Sequence, residues 1–169
     1  MAELKELLID QLQALLDAEN QLVSALPKMA TAAKSPKLRE AIEKHLRQTQ
    51  THVERLNEAF QLLGSKAEGS PSRAMRGLVE QGQHKIEQGS KKDALIADLM
   101  LIDAAQKVEH YEIAAYGNAR TLAHELEEWQ VARILSQTLG EEESTDHLLT
   151  EITKPLLQQA RTQELVAAR

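Results

Sequence analysis

Residues 99–120 read LMLIDAAQKVEHYEIAAYGNAR. Alternating steps of three and four residues pick out Leu99, Ile102, Gln106, Glu109, Ile113, Tyr116 and Arg120, the spacing of one face of an amphipathic α-helix. That face starts apolar and turns polar around Glu109, with Glu112 one helical turn further on. The helix is expected to run from about Asp93 to Glu125. A carboxylate in the middle of a face that should be buried is the feature to follow outward.

The neighbouring segments repeat it. Downstream, Glu127 to Thr153 carries Val131, Leu135, Thr138, Glu142, Thr145, Leu149 and Ile152, apolar at both ends and polar at the centre. Upstream, Ser35 and Pro36 supply a capping side chain and a first-turn proline for a helix that runs to about Leu63 and stops at Gly64. Its stripe is Leu38, Ile42, His45, Thr49, His52, Leu56 and Phe60. A first helix, about Glu3 to Ala30, aligns Leu4, Leu8, Leu12, Leu15, Leu22, Leu26 and Met29, and Glu19 fills the one gap. Pro27 removes a backbone donor and should bend the last turn.

Residues 64–92 form a long crossover, loop-like to Pro71, where Ser70 and Pro71 repeat the cap signal, and then a short fifth helix ended by Gly89. Two antiparallel hairpins joined in this way give an all-α, ferritin-like four-helix bundle. An up-down-up-down bundle would need a short middle connection. The bundle domain is expected over residues 1–155, and the Gln- and Ala-rich residues 156–169 as a frayed or docking tail.

Composition agrees. The chain has 169 residues, 42% of them apolar but only 2% aromatic, so the core is aliphatic and a large all-β fold is excluded. A net charge of -6 gives no electrostatic footprint for nucleic acid or an anionic membrane. Without cysteine there is no disulfide, thiol catalysis or thiolate metal site. The N-terminal segment mixes acidic residues into its apolar positions, unlike a signal peptide, and no run reaches membrane-spanning length, so a cytoplasmic protein is expected.

At 1.5 Å per residue, Glu19 and the His45–His52 segment lie at similar depths below the turn near Lys34, and Glu109 faces Glu142 across the other hairpin. Glu112 and Asp146, each about a turn beyond those two, extend the cluster. Such a layer of like charges is unfavourable unless protons, cationic side chains or a metal compensate it. Only Arg120 approaches the stripe from the cationic side, and it sits too far along its helix. Iron or manganese takes carboxylate oxygen with imidazole nitrogen, and bridging carboxylates suit a dinuclear site. The candidate ligands are Glu19, His45, Glu109, Glu112, Glu142 and Asp146.

Taken singly, the members have blander readings. His52 alone reads as a hydrogen-bonded core residue, and Glu112 lies at the stripe edge, where core and solvent are equally open to it. Thr49, Gln106, Thr138 and Thr145 read as hydrogen-bond partners. His110 reads as a surface or dimer contact, and His84, His124 and His147 as surface residues. The competing function is a non-enzymatic interaction homodimer, whose protonated polar layer fixes helix register without metal.

Five stretches carry a resemblance: DAENQL (17–22), KHLRQTQTHVERL (44–56), AMRGLVEQG (74–82), LIDAAQKVEHYEIAAYG (101–117) and TLGEEESTDHLL (138–149). At these residues the chain resembles the YciF and YciE family of bacterial ferritin-like proteins, also called DUF892. The resemblance implies a ferritin-like bundle, a homodimer, an association with bacterial stress and a metal centre. The chain departs from better-known di-iron bundles, which carry Glu-x-x-His on two helices, because Thr49 precedes His52 and Thr145 follows Glu142. That departure argues against their oxygen-activating chemistry. The family commonly has Gln where this chain has His52, which weakens that residue as an essential ligand and leaves its role open.

Overall fold

The computed structural model describes residues 2–167; Met1 and residues 168–169, the end of the expected tail, lie outside them. The described residues form α1 (Ala2–Ala32), α2 (Pro36–Leu63), α3 (Arg73–Gly89), α4 (Ala94–Glu125) and α5 (Trp129–Ala167), with no strand among them. The α1–α2 hairpin packs against the α4–α5 hairpin, and α3 crosses over α1 and α4. The bundle is thus wired as the connection lengths imply.

Local chemistry sets most of the boundaries. Ser35 caps α2, its hydroxyl accepting from the Leu38 amide, and Gly64 ends that helix at φ 66°, where a side chain would be strained. The cap of α3 is Ser72, not Ser70: its hydroxyl accepts from the Met75 amide, and its own amide is held by Asp17 at 2.7 Å. A tertiary contact from α1 therefore overrides the Ser70–Pro71 signal. Asp98, buried on α4, accepts from the backbone amides of Lys34 and Ser35, both at 2.7 Å, and pins the α1–α2 turn. Helix α5 starts at Trp129 because Glu127 takes a left-handed φ of 59°, which a helix cannot contain.

Pro155 does not end α5, which continues as a helix to Ala167. Loss of one amide donor is tolerated there, but Leu156 is the last buried one among the described residues, and Leu157, Leu165 and Val166 are exposed. Pro27 is likewise accommodated within α1.

The core has two aliphatic clusters. One, near the α1–α2 turn, includes Leu22, Leu26, Leu38, Ile42, Leu101, Ile102, Leu149 and Ile152. The other includes Leu8, Leu12, Leu56, Phe60, Tyr116, Val131 and Leu135. Between them lies the polar layer. On α4 the stripe departs from the expected one: Arg120 is exposed while Ala119 and Ala123 are buried, and Ala105 lies deeper than Gln106. Alternating steps of three and four describe a 3.5-residue period, which drifts about 20° per heptad from a straight helix and leaves the true face after three heptads.

Candidate metal centre

Each long helix delivers its polar residues to one level of the bundle. Glu19 from α1, His45, Thr49 and His52 from α2, Glu109 and Glu112 from α4, and Glu142 from α5 are all buried. On α2 the histidines are seven residues apart, two turns on the same face; on α4 the two glutamates are three apart, one above the other. Glu112 is fully buried, which settles the question its edge position left open.

The donors fall into two groups. One is His45, Glu109, Glu112 and Glu142; the other is Glu19, His52 and Glu142, and within each the donor atoms lie within 4.8 Å of one another. An ion with bonds of about 2.0–2.4 Å spans donors up to twice that distance apart, so each group is compact enough to close on one cation. Glu142 belongs to both.

The unmet valences converge on the same place. Both oxygens of Glu112, one each of Glu19 and Glu109, and His45 Nε2 are buried without a hydrogen-bond partner, while one oxygen of Glu142 has the His52 ring nitrogen as its neighbour and the other has no partner within hydrogen-bond distance. His45 Nε2 is 3.3 Å from Glu109 Oε1, and its Nδ1 is 3.9 Å from Glu142 Oε2. His52 Nδ1 is 2.9 Å from Glu142 Oε1 and 3.3 Å from Glu19 Oε1, and the Tyr116 hydroxyl donates to Glu19.

Burial drives the protonation pattern. It pushes Glu109 and Glu112 well above the usual carboxylate range, each further raised by neighbouring carboxylates, and it raises Glu19 against the opposing pull of His52. Burial also lowers His45, so that imidazole is neutral. At His52 burial disfavours the charge, but Glu142 and Glu19 outweigh it and the pKa rises to about 10. Burial would raise Glu142 too; His52 and His45 hold it below its ordinary value.

A polar support stands behind His52. Its Nε2 is 2.8 Å from Glu141 Oε2, and Arg55 grips Glu141 with paired bonds of 2.8 and 2.9 Å while also reaching Thr138. This chain of carboxylate and imidazole fixes the ring and turns Nδ1 inward, an arrangement that usually supports a metal-ligating histidine. Glu141 and Arg55 are the residues that sequence reading missed. Arg55, three residues after His52 and so on its face, was the legible signal; the cation near the layer is Arg55, and Arg120 is exposed.

Asp146 is not brought together with the others. Its Oδ1 accepts from Gln106 at 3.0 Å and lies 3.3 Å from His110, at the partly exposed edge of α4 and α5. Gln106 accordingly belongs to that edge, whereas Thr138 bonds Arg55 and the Thr145 hydroxyl donates to the Glu141 carbonyl. The Thr49 hydroxyl has no partner. His84, His110, His124 and His147 are exposed.

Residues 3–162 match a protein family described as a domain of unknown function, DUF892. The chain belongs to the DUF892 family. It is 39% identical to protein YciF of Escherichia coli K12 over 153 residues, 90% of this chain and 91% of that one. The crystal structure of that E. coli stress protein superposes with a TM-score of 0.88 at 37% identity, covering 94% of this chain and 99% of the other. YcfI of Rhodopseudomonas palustris, proposed as a structural protein, gives 0.83 at 35% identity, covering 87% and 92%. A Xanthomonas campestris protein at 20% identity gives 0.74 and shares the fold, covering 96% of this chain and 99% of its own.

Proposed function

We propose that this DUF892 protein is a ferritin-like metal-binding protein of the bacterial stress response, acting as a cytoplasmic homodimer and holding two iron or manganese ions. One ion would be held by Glu19, His52 and Glu142, the other by His45, Glu109, Glu112 and Glu142. What carries the reading is the fully buried Glu112 carboxylate, whose two oxygens lack any partner, inside the His45, Glu109, Glu112 and Glu142 group. Each such oxygen costs about 1–3 kcal/mol when left unsatisfied, and protonation removes charge without filling the remaining lone pairs. Oxygen with imidazole is the donor set that iron and manganese accept, so the residues fit the ions. Asp146 is proposed no longer as a ligand but as a partner of Gln106.

When bound, such ions supply Lewis acidity and accessible redox chemistry. The chain's own residues orient and exclude: Glu141 and Arg55 set the His52 ring, Tyr116 donates to Glu19, and the aliphatic clusters keep bulk water from both ends.

The test is metal analysis of protein purified without chelator after growth with iron and manganese. A Glu19→Gln, Glu142→Gln double variant should lose its metal and keep its helical circular dichroism. Added Fe(II) or Mn(II), under anaerobic conditions, should raise the melting temperature of metal-free wild type, by an amount equal to about 2.7 kcal/mol at a hundredfold excess over Kd. That gain should shrink as pH falls and protons compete for the oxygens. Equally low metal in both proteins, with no thermal response, would overturn the proposal.

A second reading has its own observation. Charged His52 already places a cation between Glu19 and Glu142, so a register-fixing homodimer without metal is self-consistent there. It leaves Glu112 without a partner, and it predicts no response to added metal.

A further inference from the structure

Two cavities lie end to end beside the polar layer. The outer one, about 130 Å³, sits under α3 between Leu22 and Met29 of α1, Leu78 and Ile86 of α3, and Val108 of α4. The inner one, about 20 Å³, is within the bundle, walled by Ile42, Ala105 and Leu149 and bounded by His45 and Glu109. Leu22, Met29 and Val108 line both and stand between them.

The chemistry of the walls selects the traveller. The outer cavity has a single charged lining residue, the exposed Lys28, which repels a metal cation. The acidic approach is on the opposite face, where partly exposed Glu141 reaches His52. In the inner cavity, once His45 and Glu109 are directed at an ion, the remaining polar group is Thr145, whose hydroxyl already donates to the Glu141 carbonyl. A water there would lack the two to four partners it needs, whereas the volume is that of one small molecule. Helix α3, the roof, has room to spare: Gly82 lines the outer cavity, and a Cβ added there would meet nothing within 4 Å.

We infer that these cavities form an apolar path by which a small uncharged molecule, of two or three heavy atoms, reaches the His45–Glu109 side of the centre, with Leu22, Met29 and Val108 as its neck. The path's destination and the dryness of its inner end rest on the metal reading above; the outer cavity and the residues between the two do not.

Xenon is the probe. Metal-free wild type should give a saturable xenon NMR shift, which Ala105→Leu, filling the inner cavity and leaving the outer one open, should reduce. Gly82→Leu, which fills the outer cavity from a position with open space, should slow xenon exchange and keep the fold. Wild type loaded with Mn(II), its content confirmed by elemental analysis, should relax bound xenon faster than the Zn(II)-loaded protein. Absence of a saturable shift, or a shift unchanged in folded Ala105→Leu protein, overturns the path. Bound manganese without faster relaxation also overturns it, because the path then ends elsewhere. If no manganese binds, the metal reading fails and the path loses its destination, whatever xenon does.

Discussion

The aliphatic clusters and the polar layer between them are built from the same four helices, in places from residues one turn apart, yet they obey opposite rules. Leu12, Leu56 and Leu135 are almost fully buried and need only neighbours; Glu112 is just as buried and lacks the partners its chemistry requires. The first kind of burial stabilises the fold by about 1.5–3 kcal/mol per large side chain. The second costs free energy unless a proton or an ion completes it. The bundle is therefore held together by its ends, and its middle is free to serve a ligand.

The sharpest way to break this contrast is to make large changes on each side of it. Leu12→Ala, in the cluster around Phe60, should destabilise the protein by about 2–5 kcal/mol in urea unfolding and leave metal content per folded molecule unchanged. A parallel loss of metal would show that ends and middle are not separable. Glu112→Met should move the other way, stabilising the metal-free protein by about 1–3 kcal/mol, because two orphaned oxygens are replaced by an apolar group of similar length. The same variant should bind less metal. A destabilised Glu112→Met protein would mean that the carboxyl has a structural role which the geometry does not reveal.

The smallest effect is read per unit of pH. His52 is raised to about 10, so its contribution is fully present below its ordinary value near 6.5 and is lost as pH rises through the folded value. Glu19, Glu109 and Glu112, also raised, act in the same direction. Glu141 and Glu142, held low, and His45, lowered, withdraw their contributions only on the acid side. Glu19, Glu142 and Glu141 face the His52 ring directly, with Tyr116 edge-on at 6.3 Å. Metal-free protein should accordingly lose up to about 1.4 kcal/mol per pH unit from His52 between about pH 7 and pH 9. His52→Gln should flatten that limb of the melting curve; an equally steep limb in the variant would assign it to other groups.

Much of this was legible in the chain. Period and connection length gave four helices and their wiring, and the stripe on α2 is buried at every position from Leu38 to Phe60. Of the six candidate ligands read from the sequence, all but Asp146 converge, because depth along a helix can be counted. What escaped depends on rotation and on contacts between helices. Spacing favours Asp146, one turn beyond Glu142, over the adjacent Glu141, but it is Glu141 that faces the His52–Arg55 side of α2. Asp17 and Asp98 look like solvated charges until the backbone amides that they hold arrive from other elements. Pro155 reads as a stop because sequence cannot say that the turn before it tolerates a missing donor.

Glu142 is the one side chain common to both donor groups. Whatever occupies one group is therefore thermodynamically linked to the occupant of the other, and the coupling is reciprocal by necessity. A half-filled centre would be a species with its own affinity, not the average of empty and full. Substitution at Glu142 cannot apportion the two halves, since it removes a corner from each; a cycle that pairs a change at His52 with one at Glu112 can, because each touches a single group.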